Sequence, residues 1–450
     1  MNIVIIGAGK FGFKLTQILS NENHNITVID ISEHKIDRCV NYFDVLGITG
    51  NGANYDLLME AGVCDADIVL ALTESDEKNM LCSMIARKMG AKRTISRVRN
   101  SEYYDQIAFL RSELGIDMFV NPDLEAAEEI SRILMLPQAT QVEAFANGRI
   151  DFVELKVKEG GKLANLKVND ILRKTYAKVL ICAVERDNEV YIPKGDFTLK
   201  VGDTIYISAS HQNICNFIES LDEKKKYIKT VLIIGGGRIT YYTAKQLLKL
   251  NMRVKIIEKN EQKCFELSEK FDKITVIHGD ATDHHLLEEE NIDNIDAFLA
   301  LTGDDRINVI LSMYAQSKNV KKIVTKVSGM MLDSLLDHIG LDTIICPKDI
   351  VSNQILSYVR ANSNAKASNV QMLYRIVNEK AEVLEFHISD KDSITGKRLS
   401  EINIREDALI SCISRNNKII TPSGNDIIKS GDRILVVTTS KNVMSIDDIF

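Results

Sequence analysis

The eight cysteines of this sequence, at 39, 64, 82, 182, 215, 264, 346 and 412, include no C-x-x-C pair. That absence excludes a zinc ribbon or a dithiol redox centre of the usual spacing. Several lie in apolar runs, such as Cys182 in VLICAV, where a reduced thiol behaves as a small hydrophobe. Basic residues are not in excess: the formal net charge is -7, unlike the basic face that a nucleic-acid binder carries. No apolar run approaches the roughly 20 residues that a spanning helix needs. The opening MNIVIIGAGK lacks a basic leader and runs straight into a glycine turn. No secretion signal is expected there, and a cytoplasmic location is. His284 and His285 are adjacent. Neighbours in sequence do not converge on a metal, so a solvated helix start is expected instead.

What the chain does have is length and repetition. Its 450 residues accommodate two to four domains of about 100 to 200 residues each. VLIIGGGRIT at 231 repeats IVIIGAGKFG at 3. Gly7 and Gly235 are 228 positions apart, as are Asp30 and Glu258. After a one-residue insertion, ADIVLALTESDEKN (66–79) aligns with IDAFLALTGDDRIN (295–308) without a gap. Further on, IPKGDFTLKVGDTI (192–205) matches ITPSGNDIIKSGDRI (420–434). A near-constant offset over this span indicates duplication of a whole unit, far longer than a solenoid repeat.

Each unit begins with short apolar runs separated by amphipathic stretches. In the first unit the runs are NIVIIG, NITVID, DVLGIT, DIVLAL, RTISRV and DMFVN, and the helical stretches are 11–21, 33–41, 54–62, 75–90 and 102–114. This alternation predicts β-α-β units, and fully apolar strands predict a parallel sheet covered on both faces. Helices are predicted next at 123–137 and 347–361. DFVELKV (151–157), KVLICAVER (178–186), EVYIP and DTIYISAS then read as short strands of a small α+β domain. The charged LDEKKKYIK (221–229) reads as the linker between units. The expected fold is two doubly wound Rossmann-type parallel sheets, each followed by a small α+β domain.

The glycine turn satisfies the three requirements of a dinucleotide site. NIVII precedes Gly7, KFGFKLTQILS follows with helical spacing, and NITVID ends in Asp30, 18 residues past Gly12. Gly7 permits the tight turn, Gly9 the approach of a pyrophosphate, and Gly12 close packing of helix on strand. Ala8, Lys10 and Phe11 complete the turn and the helix N-terminus, whose amides attract phosphate. Asp30 suits the ribose hydroxyls and repels a 2′-phosphate, so NAD(H) is expected over NADP(H). The second copy keeps Gly235, Gly236 and Gly237, with Arg238, Ile239 and Glu258 in equivalent places, but has Thr240 for the third glycine. A β-branched side chain there is expected to loosen the helix–strand contact.

No histidine–aspartate pair, serine elbow or metal cluster stands out in the small domains. Tyr176 and Lys178 are present but nothing in the sequence orients them. Dehydrogenases need a proton-transfer residue beside the nicotinamide. The sequence therefore favours a sensor, no enzyme, over the alternative of an NAD-dependent oxidoreductase acting on a small substrate.

These features resemble the TrkA family of potassium-uptake regulators, built from two RCK (regulator of potassium conductance) units. The resemblance rests on IIGAGKFG, Asp30, ITGNGAN, DADIVLALTESDEKNM, SRV, PKGDFTLKVGDTIYI and their second copies. It implies Rossmann domains at 1–122 and 226–346, crossover helices at 123–140 and 347–366, and small domains at 141–225 and 367–450. It further implies Asn51 and Gly52 beside the adenine, Thr73 and Glu74 facing ribose and phosphates, and Arg97 on phosphate, with Asp280, Ala281, Thr302 and Lys326 in the second copy. NAD(H) is the implied ligand, with ATP or ADP as the alternative. Family members are cytoplasmic, peripheral on the inner face of the cell membrane, and assemble as homo-oligomers, dimers or tetrameric rings. They gate a potassium-translocating membrane subunit of the TrkH or TrkG type.

Overall fold

In the computed structural model every residue is described except 23, 146–149, 176–177, 222–227, 329–339, 342, 364–369, 377–379, 417, 441–442 and 444. Tyr176 and most of the expected linker therefore lie outside the described residues.

The first six apolar runs are all strands. β1 (Asn2–Ile6), β2 (Asn25–Asp30), β3 (Leu46–Thr49), β4 (Ile68–Ala71), β5 (Thr94–Arg97) and β6 (Met118–Val120) form a parallel sheet in the order β3-β2-β1-β4-β5-β6. Every residue of β4 and β5 is buried, as a sheet covered on both faces requires. The covering helices are α1 (Lys10–Ser20), α2 (Glu33–Tyr42), α3 (Tyr55–Glu60), α4 (Asp76–Met89), α5 (Ser101–Tyr104) and α6 (Ile107–Leu114). The single helix expected over 102–114 is thus two, because Gln106 leaves the helical region at φ -106°, ψ 15°. Strand order reverses between β1 and β4, which opens a crevice at their carboxyl ends. α7 (Pro122–Met135) follows, with Asn121 accepting hydrogen bonds from the amides of Asp123 and Leu124 at 3.1 and 3.2 Å.

β7 (Gln141–Phe145), β8 (Ile150–Lys156), β9 (Leu180–Arg186), β10 (Glu189–Tyr191) and β11 (Thr204–Ala209) form an antiparallel sheet in the order β10-β9-β11-β8-β7. Four of these strands are readable in the sequence. β7 is not, because QVEAF has no turn glycine before it and follows α7 after only five residues, 136–140.

The second half repeats the first. β12 (Thr230–Ile234), β13 (Arg253–Glu258), β14 (Thr275–His278), β15 (Ala297–Ala300), β16 (Lys322–Lys326) and β17 (Ile344–Ile345) form the order β14-β13-β12-β15-β16-β17. β18 (Val370–Ile376), β19 (Ala381–His387), β20 (Ala408–Arg415), β21 (Lys418–Ile420) and β22 (Arg433–Thr438) form the last antiparallel sheet. The two antiparallel sheets share one core, in which Phe152, Ala183 and Tyr206 lie with Val383, Cys412 and Leu435. Five of the cysteines, 39, 82, 182, 264 and 412, are buried, while Cys64 is exposed. Among the described residues no helix is long and apolar enough to cross a membrane.

Two compact units divide the chain: Met1–Ala126 with Pro347–Val359, and Ala127–Cys346 with Arg360–Phe450. The helix Pro347–Ser363 lies where the crossover helix is expected, between the second Rossmann half and the last small domain along the chain. Its stripe Val351, Ile355, Leu356 and Val359 is buried in the core of the first sheet, with Leu15, Leu19 and Ile36. Lys14 pairs with Asp349 at 3.4 Å, and Arg93 donates to the Tyr358 hydroxyl at 3.5 Å. In the second unit, Lys322 Nζ donates to the Ala139 carbonyl at 2.5 Å and Thr343 to that of Thr140 at 3.3 Å. Each parallel sheet thus carries a segment from the other repeat. A stripe at helical spacing specifies that a face is buried, not which sheet buries it.

A duplicated ion pair fixes the glycine–aspartate corner of each small domain. Arg186 donates twice to Asp203, at 2.7 Å each, and to the Thr198 carbonyl at 2.9 Å. Arg415 does the same with Asp432, at 2.7 and 2.6 Å. Burial opposes ionisation of Asp203, but the Arg186 hydrogen bond and the Lys200 amide outweigh it and hold the carboxyl below its ordinary value. Stability from this group is therefore present above about pH 4 and is lost as pH falls through the lower folded-state value. Asp203→Ala should destabilise the small domain by on the order of 3 kcal/mol by leaving Arg186 without its carboxylate partner. It should also flatten the acid limb of unfolding below about pH 4. Urea and acid titrations followed by circular dichroism check both; an unchanged midpoint contradicts the role.

Candidate nucleotide sites

The crevice at the switch point collects the residues that the sequence singled out. Gly7 ends β1 at φ +108°, where an L side chain is strained. A Cβ there would lie 2.9 Å from the Leu72 carbonyl carbon and the Thr73 nitrogen. A Cβ on Gly12 would stand 1.8 Å from the Gly7 carbonyl oxygen, so the first turn of α1 rests directly on the glycine turn. Gly9 differs: nothing lies within 4 Å of where its Cβ would be. It is also the N-cap of α1 and offers no side chain to the first-turn amides. Open space beside uncapped amides is what a phosphate needs.

Asp30 is buried and binds with both oxygens. Oδ2 accepts from the Ala8 amide at 2.7 Å and Oδ1 from the Ser32 amide at 2.9 Å. Lys35 Nζ lies 3.8 Å from Oδ2. The carboxylate thereby ties the end of β2 to the glycine turn, beside the position where a ribose would sit. Lys10 is exposed at the helix start, whereas Phe11 is buried in the core and contributes backbone only.

The loop after β4 closes the other wall. Thr73 donates to Asn79 Oδ1 through its amide and its hydroxyl, at 2.7 Å each. Asn79 Nδ2 returns to the Thr73 carbonyl at 3.0 Å and reaches the Arg97 carbonyl at 2.9 Å. Arg97, buried at the end of β5, donates to the Thr73 carbonyl. Glu74 is exposed, and its carbonyl accepts from Arg99 at 3.0 Å. Asn79 escaped sequence reasoning, although TESDEKN is duplicated as TGDDRIN with Asn308 in place. Beyond Asp30, Asn51 is exposed and accepts from the Ala53 amide at 3.2 Å, while a Cβ on Gly52 would meet Ile6 at 2.2 Å.

The second copy keeps this plan with substitutions. Gly235 stands at φ +99°, and Gly237 is an open N-cap for the helix Arg238–Lys249. Glu258 accepts from the Gly236 amide and, at 2.7 Å, from that of Asn260. Arg238 is exposed and Ile239 buried. Thr302 and Asn308 repeat the Thr73–Asn79 bonds at 2.9 and 2.7 Å, and Lys326 Nζ reaches the Thr302 carbonyl at 2.6 Å. The expected loosening at Thr240 is not found. Thr240 is fully buried and its hydroxyl donates to the Gly235 carbonyl at 2.5 Å. It turns the close approach made by Gly12 into a hydrogen bond. Asp280 is bridged to Lys259 at 2.8 Å, and Ala281 is buried in the core.

Two further sequence expectations fall outside these crevices. His284 opens a short helix, is exposed like His285, and the Asp283 cap accepts from the His285 amide at 3.0 Å. Lys178 contributes its carbonyl to the Thr421 hydroxyl at 3.3 Å.

Two family models match the chain, each twice: the TrkA-N domain over residues 3–122 and 231–347, and the TrkA-C domain over 152–222 and 383–450. The Trk system potassium uptake protein TrkA homolog of Archaeoglobus fulgidus is 32% identical over 456 residues, covering 100% of both chains. The Trk system potassium uptake protein TrkA of Halomonas elongata is 30% identical over 455 residues, covering 100% of this chain and 98% of that one. Among solved structures, the GsuK channel bound to NAD superposes with a TM-score of 0.65 at 19% identity, covering 98% of this chain and 77% of that one. The GsuK RCK domain gives 0.64 at 19% identity, covering 98% and 92%.

Gly9 and Gly12 differ in what an added side chain would meet: open space at one, the Gly7 carbonyl oxygen at the other. Gly9→Ala should leave the melting temperature unchanged, since its Cβ meets nothing, yet weaken nucleotide binding at least tenfold. Gly12→Ala should instead destabilise the first unit by about 1–3 kcal/mol, through overpacking against the Gly7 carbonyl. Thermal unfolding and titration calorimetry on the two variants separate these outcomes.

Proposed function

The chain belongs to the TrkA family of Trk system potassium uptake proteins, and on that premise we propose that it senses nucleotide and regulates a potassium-translocating membrane subunit. The Rossmann halves bind NAD(H), with ATP or ADP as the alternative ligands. The observation that carries this reading is the open, uncapped glycine turn with Asp30 at the end of the adjacent strand. The GsuK channel, which this chain resembles in fold, binds NAD; the assignment here rests on the residues of this chain. The site takes in Gly7 to Gly12, Asp30, Asn51, Gly52, Thr73, Glu74 and Arg97, with the equivalent set in the second half.

The role is regulatory, without turnover. The side chains around the crevice hold backbone in place: Asn79, Arg97, Asn308 and Lys326 all donate to carbonyls. A nucleotide acts on such a protein only through different affinities for two of its states. The helices Pro122–Met135 and Pro347–Ser363 pass from one unit to the other along the chain, and they carry the change. The subunit works at the inner face of the membrane as a homo-oligomer.

Thermal shift on the full chain tests the reading. Ligand that binds only the folded state stabilises it by about 2.7 kcal/mol at a hundredfold excess over Kd. NAD or NADH should raise the melting temperature by a few degrees, and Asp30→Ala should remove most of that effect. Four unmoved curves with NAD, NADH, ATP and ADP contradict it, as does steady NADH formation from a substrate panel.

A further inference from the structure

α3 turns one side inward and leaves the other uncovered. Leu58 is fully buried, and Leu57 packs against the same core. Tyr55 and Met59, neighbours one turn apart, are 58% and 50% exposed. Cys64, just beyond the helix, is exposed too, and its thiol donates to the Met59 sulfur at 3.4 Å. Beside this apolar ridge stand Asp56, Glu60 and Asp65, all exposed. Among the described residues none of the three makes an ion pair. Lys92, whose amide donates to the Ala66 carbonyl at 3.1 Å, is taken by Asp67 at 2.7 Å.

The aligned surface of the second half is different. Its helix, His284–Glu289, has His284 in the place of Tyr55 and Glu288 in the place of Met59. Lys318 stands where the first half has Met89. Its Nζ lies 3.1 Å from Glu288 and 4.0 Å from Asp293. Lys255 takes Glu290 at 2.7 Å. The second repeat thus pairs Glu288, Asp293 and Glu290 with its own lysines. The first leaves carboxylates unpaired around exposed apolar atoms.

Resting on the regulatory reading above, we propose that this face of α3 docks on the membrane subunit, and that its occupant is a basic segment of that subunit carrying an apolar side chain. Charge complementarity selects the occupant. Loops of membrane proteins on the cytoplasmic side carry an excess of Lys and Arg, opposite in sign to Asp56, Glu60 and Asp65. The ridge supplies contact area: Tyr and Met are enriched where proteins meet, and covering Tyr55 and Met59 removes apolar surface from water. An anionic lipid surface is repelled by the same carboxylates. The face also adjoins the nucleotide site. Tyr55 follows Gly52 by three positions, and Asn54 between them caps α3 by accepting from the Leu57 amide at 3.1 Å. A nucleotide that displaces the loop 51–54 moves α3 with it.

Co-sedimentation of the full chain with phosphatidylcholine vesicles carrying the TrkH-type subunit of the same cell reads the contact. The native chain should bind them, and bind less tightly as salt rises from about 0.05 M to about 0.5 M. It should ignore phosphatidylglycerol vesicles that lack the subunit. Asp56→Lys with Glu60→Lys should weaken binding at least about tenfold, and so should Tyr55→Ser with Met59→Ser. Glu289→Lys, on the aligned surface of the second half, should bind as the native chain does. All these substitutions are at the surface, and melting temperatures equal to the native one confirm that each variant is folded. Undiminished binding by the double variants, an equal loss in Glu289→Lys, or binding to the subunit-free vesicles overturns the docking face. Loss of self-association in the Asp56–Glu60 variant, read by analytical ultracentrifugation, gives the face to a second copy of the chain and overturns it too. A native chain that does not bind the subunit-loaded vesicles overturns the regulatory reading, and the docking face with it.

Discussion

A carboxylate at the end of the second strand holds the glycine turn in its working shape. Asp30 takes the Ala8 amide with one oxygen and the Ser32 amide with the other, and such charge-assisted bonds are among the stronger ones a protein makes. The tie fixes the turn relative to β2 while Gly7 fits under the Thr73 peptide and Gly12 under the Gly7 carbonyl. With three sides of the turn so packed, Gly9 is left facing open space. The crevice is therefore pre-formed, and a ligand entering it need not order the loop first. Glu258 reproduces the tie in the second half with a longer side chain.

Around that fixed turn, each wall of the crevice is continuous with an element that reaches further. Asn79 joins the loop after β4 to the end of β5. At the other end of β5, Arg93 meets Tyr358 on the helix supplied by the second repeat. The second sheet has the same arrangement, with Lys326 at the crevice end of β16 and Lys322 at the other, on the segment after α7. One short strand thus carries a cation at the site and another at the borrowed segment. A nucleotide bound in the crevice would thereby be joined, through one strand, to the borrowed segment.

Much of this was legible in the sequence, and the exceptions have physical causes. Strands of the parallel sheets announce themselves because both faces are buried, so IVII and VLA need no partner to be recognised. Gly7, Gly9, Gly12 and Asp30 are legible because each answers a local demand of geometry or charge. The destination of Val351, Ile355, Leu356 and Val359 was not, since an apolar stripe has no address. Thr240 misled because a hydroxyl was weighed as bulk, when it could bond to the carbonyl that Gly12 approaches. Asn79 and Asn308 were missed because a buried asparagine looks like any loop polar residue until its four bonds are seen. The Lys259–Asp280 bridge was hidden because its partners are 21 positions apart.

The central claim is that nucleotide at the glycine turn is felt in the helix borrowed from the other repeat. Hydrogen–deuterium exchange on the full chain, with and without saturating NADH, tests it directly. The account expects slowed exchange at residues 7–13 together with altered exchange at 347–359. Unchanged exchange at 7–13 contradicts the site, and protection at 7–13 with no change at 347–359 contradicts the coupling.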